Sequence, residues 1–433
     1  MVRIPIADGI ALNVIRSDKF KTNLVEFTFS LPLSEENASY ASLLPAVLRR
    51  GCEKYPTMLE LNRRLEELYA ARLDVSSAKI GENEVVFFSV NMLRNEFTFE
   101  KSDLLSETLD ILTELIFRPY LPDGVFCPEY VESEKKNLCD KIAAEINNKA
   151  SYANKRLLEV MCEGEPYAVS QLGVPECVET ITPASLARFY FDAFAKAPLE
   201  IFMIGVCDEE AMAKRLQKTL CAYARTAAQP VRTVIRDAAG DVKRVCEEMP
   251  VAQGKLALGF RTGASIGQGN DAAFFLFNEI FGGSPTSKLF ENVREKKSLC
   301  YYCSSRFVAH KGIMQIASGV KVGSEAAAEE EILVQLRAMQ NGDFCAEDVS
   351  DALRSLANRY LSLGDEPSSL AFWHLSQILA GLCERTPEAL IASLGRVTKD
   401  EIVDMAKSVR LDTVYFLKGT LPEDAEDGGE EDA

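Results

Sequence analysis

The order of pattern in the first half of the chain returns in the second half, and few folds survive that constraint. An alternating run at residues 25–31, with Val25, Phe27 and Phe29 on one side, leads to a helical stretch at 39–51 that stops at Gly51. A second helix follows Pro56, with Met58, Leu61, Leu65 and Leu68 at helical spacing. In the second half a strand-like run at 256–262 leads to a helical stretch at 271–281 that stops at Gly282-Gly283, and another helix follows at 285–297. Each half also closes on an apolar strand, at 199–206 and at 413–418. Two α+β halves of about 200 residues, each an antiparallel-rich sheet with helices on one face, account for this order better than one core does. A chain of 433 residues is also too long for a single ordinary core.

The remaining pattern fits the doubled plan. Strands at 11–15 and 23–31 are expected to open the chain as a pair, and a hairpin at 75–93 to turn about Gly81. Ser39 is the expected cap of the first helix, and Pro45 inside it predicts a short or kinked element. Residues 129–158 read as one long charged helix, and Thr182-Pro183 as the start of another. Between 222 and 254 the composition loosens into Ala-Ala-Gln-Pro and Asp-Ala-Ala-Gly. The predicted organisation is therefore an N-terminal domain over 1–221, a linker at 222–254, a C-terminal domain over 255–420 and an acidic disordered tail at 421–433.

Charge narrows the partners. A formal net charge of −17 repels phosphate backbones and anionic headgroups, so neither nucleic acid nor a membrane is expected as a partner. No run of about 18 apolar residues appears, and the first eight residues lack the pattern of a secretory signal. A cytoplasmic protein is expected. Twelve cysteines without a framework spacing suit reduced thiols, and Cys300-Tyr-Tyr-Cys303 is the one CxxC. Zinc binding there would need a second pair or nearby histidines, and a redox motif would be expected to open a helix after a strand.

Residues 289–306 carry the most suggestive chemistry. A helical first half places Leu289, Phe290 and Val293 on one face, and an aromatic second half reads as a strand. Arg294 and Tyr301 stand seven apart in it. A guanidinium and a phenol can together hold a peptide backbone or a carboxylate, although the same pattern also describes a solvated basic face.

The run Leu276-Phe-Asn-Glu-Ile-Phe-Gly-Gly, followed by Ser287-Lys-Leu-Phe-Glu-Asn-Val-Arg-Glu-Lys-Lys-Ser-Leu-Cys-Tyr301, resembles the C-terminal half-repeat of the M16 metallopeptidases, the insulinase and mitochondrial-processing-peptidase family. Gly173-Val-Pro-Glu-Cys-Val-Glu-Thr-Ile-Thr-Pro-Ala-Ser-Leu is similar to a stretch of the family's first half. The resemblance covers roughly residues 10–420 and implies two LuxS/MPP-like metallohydrolase half-domains. One departure is Ser298, where the family prefers glycine. Lys19-Phe-Lys-Thr-Asn23, Leu44-Pro45 and Leu65-Glu-Glu-Leu-Tyr69 resemble in particular the noncatalytic branch associated with 5-aminopentanol modification of elongation factor P in Gram-positive bacteria, whereas Ala70-Ala71 departs from it.

Active members of the family carry His-x-x-Glu-His on the first helix and a third glutamate ligand on a later one. Two histidines four apart share one helix face and can share a zinc, while the glutamate between them serves as base for a metal-bound water. The resemblance lays these positions on Ser42, Pro45 and Ala46, and the third ligand on Lys141, with Glu145 one turn further. The chain's only histidines, His310 and His374, lie far from these positions and read as structural. The resemblance thus implies a noncatalytic subunit with no metal of its own. Its partner would be a zinc-bearing M16 peptidase, and in the heterodimer Arg294 and Tyr301 would bind a peptide or unfolded polypeptide near the partner's zinc. The alternatives are a peptide-binding scaffold without proteolysis and an active metallopeptidase with unrecognised ligands.

Overall fold

The computed structural model describes residues 1–422 apart from 100, 101, 222, 224, 225 and 227, so the acidic stretch at 423–433 lies outside the described residues. The chain forms two compact units that exchange segments. The first comprises Met1–Ala143, Val169–Arg232 and Glu366–Leu379; the second comprises Ala144–Ala168, Thr233–Asp365 and Ala380–Ala433. The contiguous boundaries expected from sequence are therefore crossed twice.

The first unit is built on a six-stranded sheet in the order β1-β2-β6-β3-β5-β4. These strands are β1 (Val2–Ala7), β2 (Ile10–Arg16), β3 (Thr22–Pro32), β4 (Arg72–Ile80), β5 (Asn83–Leu93) and β6 (Leu199–Gly205). The hairpin β4–β5 turns at Gly81 as expected, with φ +58°. The two opening strands do not pair with each other, because β6 lies between them, parallel to β2 and antiparallel to β3. Every residue of β6 is buried, Glu200 among them, and a strand so covered on both faces belongs at a sheet's centre.

Alternation along β3 divides the unit. Val25, Phe27, Phe29 and Leu31 join the main core beneath the helices α1 (Glu35–Leu48), α2 (Met58–Glu67), α3 (Leu104–Phe117) and α4 (Pro128–Ala144). Leu24 faces the other side, where it joins Ile15, Phe87 and Phe202 under the helix Pro367–Leu379. That single helix comes from the second half of the sequence. Each large apolar side chain so buried contributes about 1.5–3 kcal/mol.

The second unit has a five-stranded sheet in the order β7-β11-β8-β10-β9. Its strands are β7 (Lys243–Met249), β8 (Gly254–Arg261), β9 (Cys300–Val308), β10 (Ile313–Val320) and β11 (Arg410–Gly419). β7 falls inside the expected linker. It is an edge strand paired parallel to β11, and its charged sequence, half-buried at alternate positions, carried no apolar signal. Helices Asp271–Asn278, Glu325–Gln340, Ala346–Ser362, Pro387–Leu394 and Lys399–Ser408 supply side chains to the core on one face. The helix α5 (Lys149–Met161) packs on the opposite face, with Ala153 and Leu157 against Ala257, Tyr415 and Leu417.

The single charged helix expected over 129–158 is in fact α4 and α5 with a 3₁₀ turn, Glu145–Asn147, between them. Asn148 caps the second helix by accepting from the Ser151 backbone N–H at 2.9 Å. That break separates the segments of the two units. Among the described residues no helix is long and apolar enough to cross a membrane.

Candidate functional site

The degenerate zinc positions sit on α1, in the first unit. The helix is capped five residues earlier than expected: Ser34, not Ser39, accepts from the Asn37 N–H at 3.1 Å. It continues through Pro45 to Leu48, so the proline neither shortens nor splits it. Ser39 is buried instead, under the segment that leads to Pro175.

That segment is strapped to the helix by hydrogen bonds. Ser42 Oγ donates to the Gln171 carbonyl at 2.8 Å and lies 3.4 Å from Ser77 Oγ on β4. The Gln171 side-chain amide donates to the Ser77 carbonyl at 2.7 Å, and Lys79 Nζ donates to the Val169 carbonyl at 3.1 Å. Gly173 closes the strap at φ +73°, so near to α1 that a Cβ there would stand 2.0 Å from Ser39 Oγ.

These residues do not fit a zinc ion. The Ser42 hydroxyl is committed to Gln171, Pro45 and Ala46 offer no donor atom, and Lys141 is an exposed cation on α4. Glu134 on α4 is engaged by Arg50 and Asn137. Glu145 pairs with Lys155 in the second unit and does not replace a ligand. Among the described residues no three His, Cys, Asp or Glu side chains are grouped to hold a metal.

Beside the strap lies a buried acid that sequence reading passed over. Glu84 on β5 faces Lys79 across the strand pair. Burial pushes its carboxyl up to about 8, with Ser77 and Lys79 only partly offsetting, so it is mostly a neutral acid at pH 7. Its only sequence signal was a charge in an otherwise apolar strand.

Arg294 and Tyr301 belong to the second unit, around an irregular helix end. Two π-helical segments, Glu279–Gly283 and Leu289–Lys296, precede β9, and such widened turns recur at functional sites. Gly282-Gly283 reads in the sequence as a helix stop. Gly282 is buried, and a Cβ on it would stand 2.6 Å from Leu289 and 2.7 Å from Ser305 Oγ, so this glycine serves close packing.

Leu289 and Val293 are buried as their spacing implied, whereas Phe290 is half-buried beneath Arg294, whose guanidinium stands 4.6 Å from the ring centroid. The Arg294 side chain is 41% exposed, and Glu295 lies 3.6 Å from its Nε. Bonds from Lys297 N to Asn292 O, Ser298 N to Arg294 O and Leu299 N to Val293 O close the helix around Ser298 at φ +51°. This left-handed position explains why a glycine is expected there.

The chain then enters β9, where Cys300 opposes Val320 and Tyr302 opposes Gly319. Tyr301 is therefore the extra residue of a β-bulge, and it is 53% exposed. The structure thus brings Arg294 and Tyr301 onto one helix-to-strand junction and keeps both accessible. It places Ser42, Pro45, Ala46 and Lys141 in the other unit. His310 lies between β9 and β10, where burial pushes its imidazole down to about 4 and keeps it neutral, and His374 is buried in Pro367–Leu379.

Also unread in the sequence is a buried ion cluster in the second unit. Glu165 contacts Arg261 at 2.7 Å and Lys311 at 2.8 Å, and Arg261 reaches Asp412 at 3.2 Å. These charges lie far apart in sequence, so no local pattern announces them.

Comparison with known proteins matches residues 180–356 to the family model described as the peptidase M16 inactive domain. Over 412 residues the chain is 34% identical to the probable inactive metalloprotease YmfF of Bacillus subtilis, covering 95% of this chain and 96% of that one. It is 22% identical over 326 residues to the uncharacterized zinc protease YmxG of the same organism, covering 72% and 76%. The crystal structure of a conserved protein from Enterococcus faecalis superposes with a TM-score of 0.89 at 27% identity, over 98% of this chain and 99% of that one.

Proposed function

Because the chain belongs to the M16 peptidase family, among the members without the zinc-binding residues, we propose that it is the noncatalytic half of a peptidase heterodimer. On this reading a sister M16 subunit holds the zinc. Arg294 and Tyr301 of this chain grip the substrate peptide beside it. The observation that carries the proposal is the contrast between the two units: of the zinc positions, Ser42 is tied to the Gln171 carbonyl and Pro45, Ala46 and Lys141 offer no ligand, while the Arg/Tyr pair stands exposed on a locally irregular junction.

The chemistry divides accordingly. The Arg294 guanidinium offers a planar set of donors that stays charged, and the Tyr301 hydroxyl adds one more. Together they can hold a peptide carbonyl or stabilise the oxyanion that develops when water attacks it. Neither activates water, which is left to the partner's metal and base. The substrate class is peptide or unfolded polypeptide. That one relative is named an inactive metalloprotease and another, from the same organism, a zinc protease supports two kinds of subunit working together. Twelve cysteines without a framework spacing support a reducing, cytoplasmic setting.

The test is co-expression with a zinc-bearing M16 sister, followed by sedimentation and a fluorogenic peptide assay. A stable one-to-one complex that cleaves the peptide, with this chain inert alone, is the expected result. A chain that binds peptide but never the sister would favour a scaffold, and stoichiometric zinc in the purified chain would overturn the noncatalytic reading.

A further inference from the structure

Two polar side chains stand where a core helix would ordinarily be apolar. On the helix Glu325–Gln340 the buried stripe runs Ala328, Glu331, Ile332, Gln335, Leu336 and Met339, and Glu331 and Gln335 are only 5% and 8% exposed. Burying a carboxylate and an amide is costly unless both find partners, and an apolar pair at these positions would avoid that cost. Four residues apart, they present their side chains to one neighbour, the π-helical segment Leu289–Lys296 that carries Arg294. Asn292 Nδ2 donates to Gln335 Oε1 at 3.1 Å, Gln335 Nε2 donates to Glu331 Oε1 at 2.7 Å, and Lys297 Nζ donates to Glu331 Oε2.

The two residues so anchored are the two ends of one backbone bond. Lys297 N–H donates to the Asn292 carbonyl at 3.2 Å across five residues, the spacing that defines a π-helix. Its acceptor residue is fastened to Gln335 and its donor residue to Glu331, so both ends are tied to one helix face. The Asn292 side chain also binds within its own segment, Nδ2 to the Lys288 carbonyl at 2.9 Å and Oδ1 to Lys296 Nζ at 3.1 Å. Arg294 lies between the anchors. Were this bond to revert to the four-residue spacing of an α-helix, the residues beyond Asn292 would turn about the axis and the Arg294 guanidinium would leave its present direction. We propose that Glu331 and Gln335 are positioning residues, whose network holds residues 292–297 in the π register and so sets the direction in which Arg294 is presented. They act through Lys297 and Asn292. The register claim stands on the hydrogen bonds, whereas its consequence for cleavage rests on the peptide grip proposed for Arg294.

The test uses the full chain. Gln335→Leu roughly conserves side-chain volume and removes both bonds, and Asn292→Ala cuts the same link from the other side. By amide hydrogen exchange, residues 297–299 should exchange faster in either variant while the amides of the helix Glu325–Gln340 keep their protection. Unchanged exchange at 297–299, or faster exchange throughout that helix, overturns the proposal. With the zinc-bearing sister, Gln335→Leu should lower kcat/KM for a fluorogenic peptide by about 10²-fold, the loss that a misplaced binding group produces, and by nothing further when Arg294 is already alanine. Equal losses in both backgrounds, or no loss where Arg294→Ala is itself impaired, overturn the positioning role. Wild-type cleavage by Arg294→Ala would contradict the peptide grip, and the exchange experiment then decides the register claim by itself.

Discussion

Glu84 shows how a single buried group sets a pH response. Its carboxyl titrates near 8 in the folded chain and near the ordinary carboxylate range when unfolded. Below the unfolded value both states are protonated and the group is neutral to stability. As pH rises toward 8 the unfolded chain loses the proton first, so stability falls through that window. Glu26 on β3, pushed up to about 8 by burial alone, acts in the same direction. Replacing Glu84 by Gln should therefore raise the denaturation midpoint at pH 9 by an amount corresponding to a few kcal/mol, with little change at pH 4. Denaturant titrations at the two pH values check it; an equal shift at both would show that packing, not ionisation, is at work.

Ser298 makes a second case. At φ +51° a side chain costs about 1 kcal/mol, while glycine adds entropy to the unfolded chain. Ser298→Gly should leave stability unchanged or raise it by up to about 1 kcal/mol, measured by chemical denaturation. A loss of more than that would mean that the hydroxyl has a role the backbone does not reveal.

At the scale of elements, what could be read from sequence depended on whether the signal was local. β3, β5 and β8 were legible because their apolar pattern is written into consecutive residues. β7 was not, since an edge strand of charged residues looks like a linker. The junction of α4 and α5 was masked by continuous helical charge, although Asn148 was available as a cap. β9 begins at Cys300, within the aromatic half read as a strand, and the bulge at Tyr301 breaks its period-two pattern. The strap over α1 and the Glu165 cluster depend on residues far apart in sequence, and no spacing rule reaches them.

The Glu165 cluster secures the 144–168 segment within its unit. Burial alone would raise the Glu165 carboxyl, but Lys311 and Arg261 outweigh it and hold it below the ordinary range. Glu165→Gln removes the carboxylate charge that buried Arg261 and Lys311 share, leaving Asp412 as the acid beside Arg261. It should cost about 3–5 kcal/mol and speed amide exchange in α5. Unchanged exchange there would mean that apolar packing of Ala153 and Leu157 holds the segment by itself.

For the whole molecule, the doubled α+β plan was readable from the recurrence of Gly51 at Gly282 and of the closing strands. The exchange of helices was not, because a local pattern says that a stretch is helical and not which sheet it covers. The candidate site was legible in part. Arg294 and Tyr301 were singled out by spacing and resemblance, and the lack of histidine ligands could be read directly from the sequence. The strap bonded to Ser42 required three dimensions.

The division of labour proposed for the two subunits is tested most directly by kinetics. The measurement is kcat/KM for a fluorogenic peptide, using the zinc-bearing sister paired in turn with the wild-type chain, Arg294→Ala and Tyr301→Phe, each complex first confirmed by sedimentation. Loss of an oxyanion-stabilising donor costs about 10²-fold or more in comparable sites, so a drop of that order is expected for Arg294→Ala, with a smaller one for Tyr301→Phe. Intact complexes that cleave the peptide at the wild-type rate with either substitution would contradict the account.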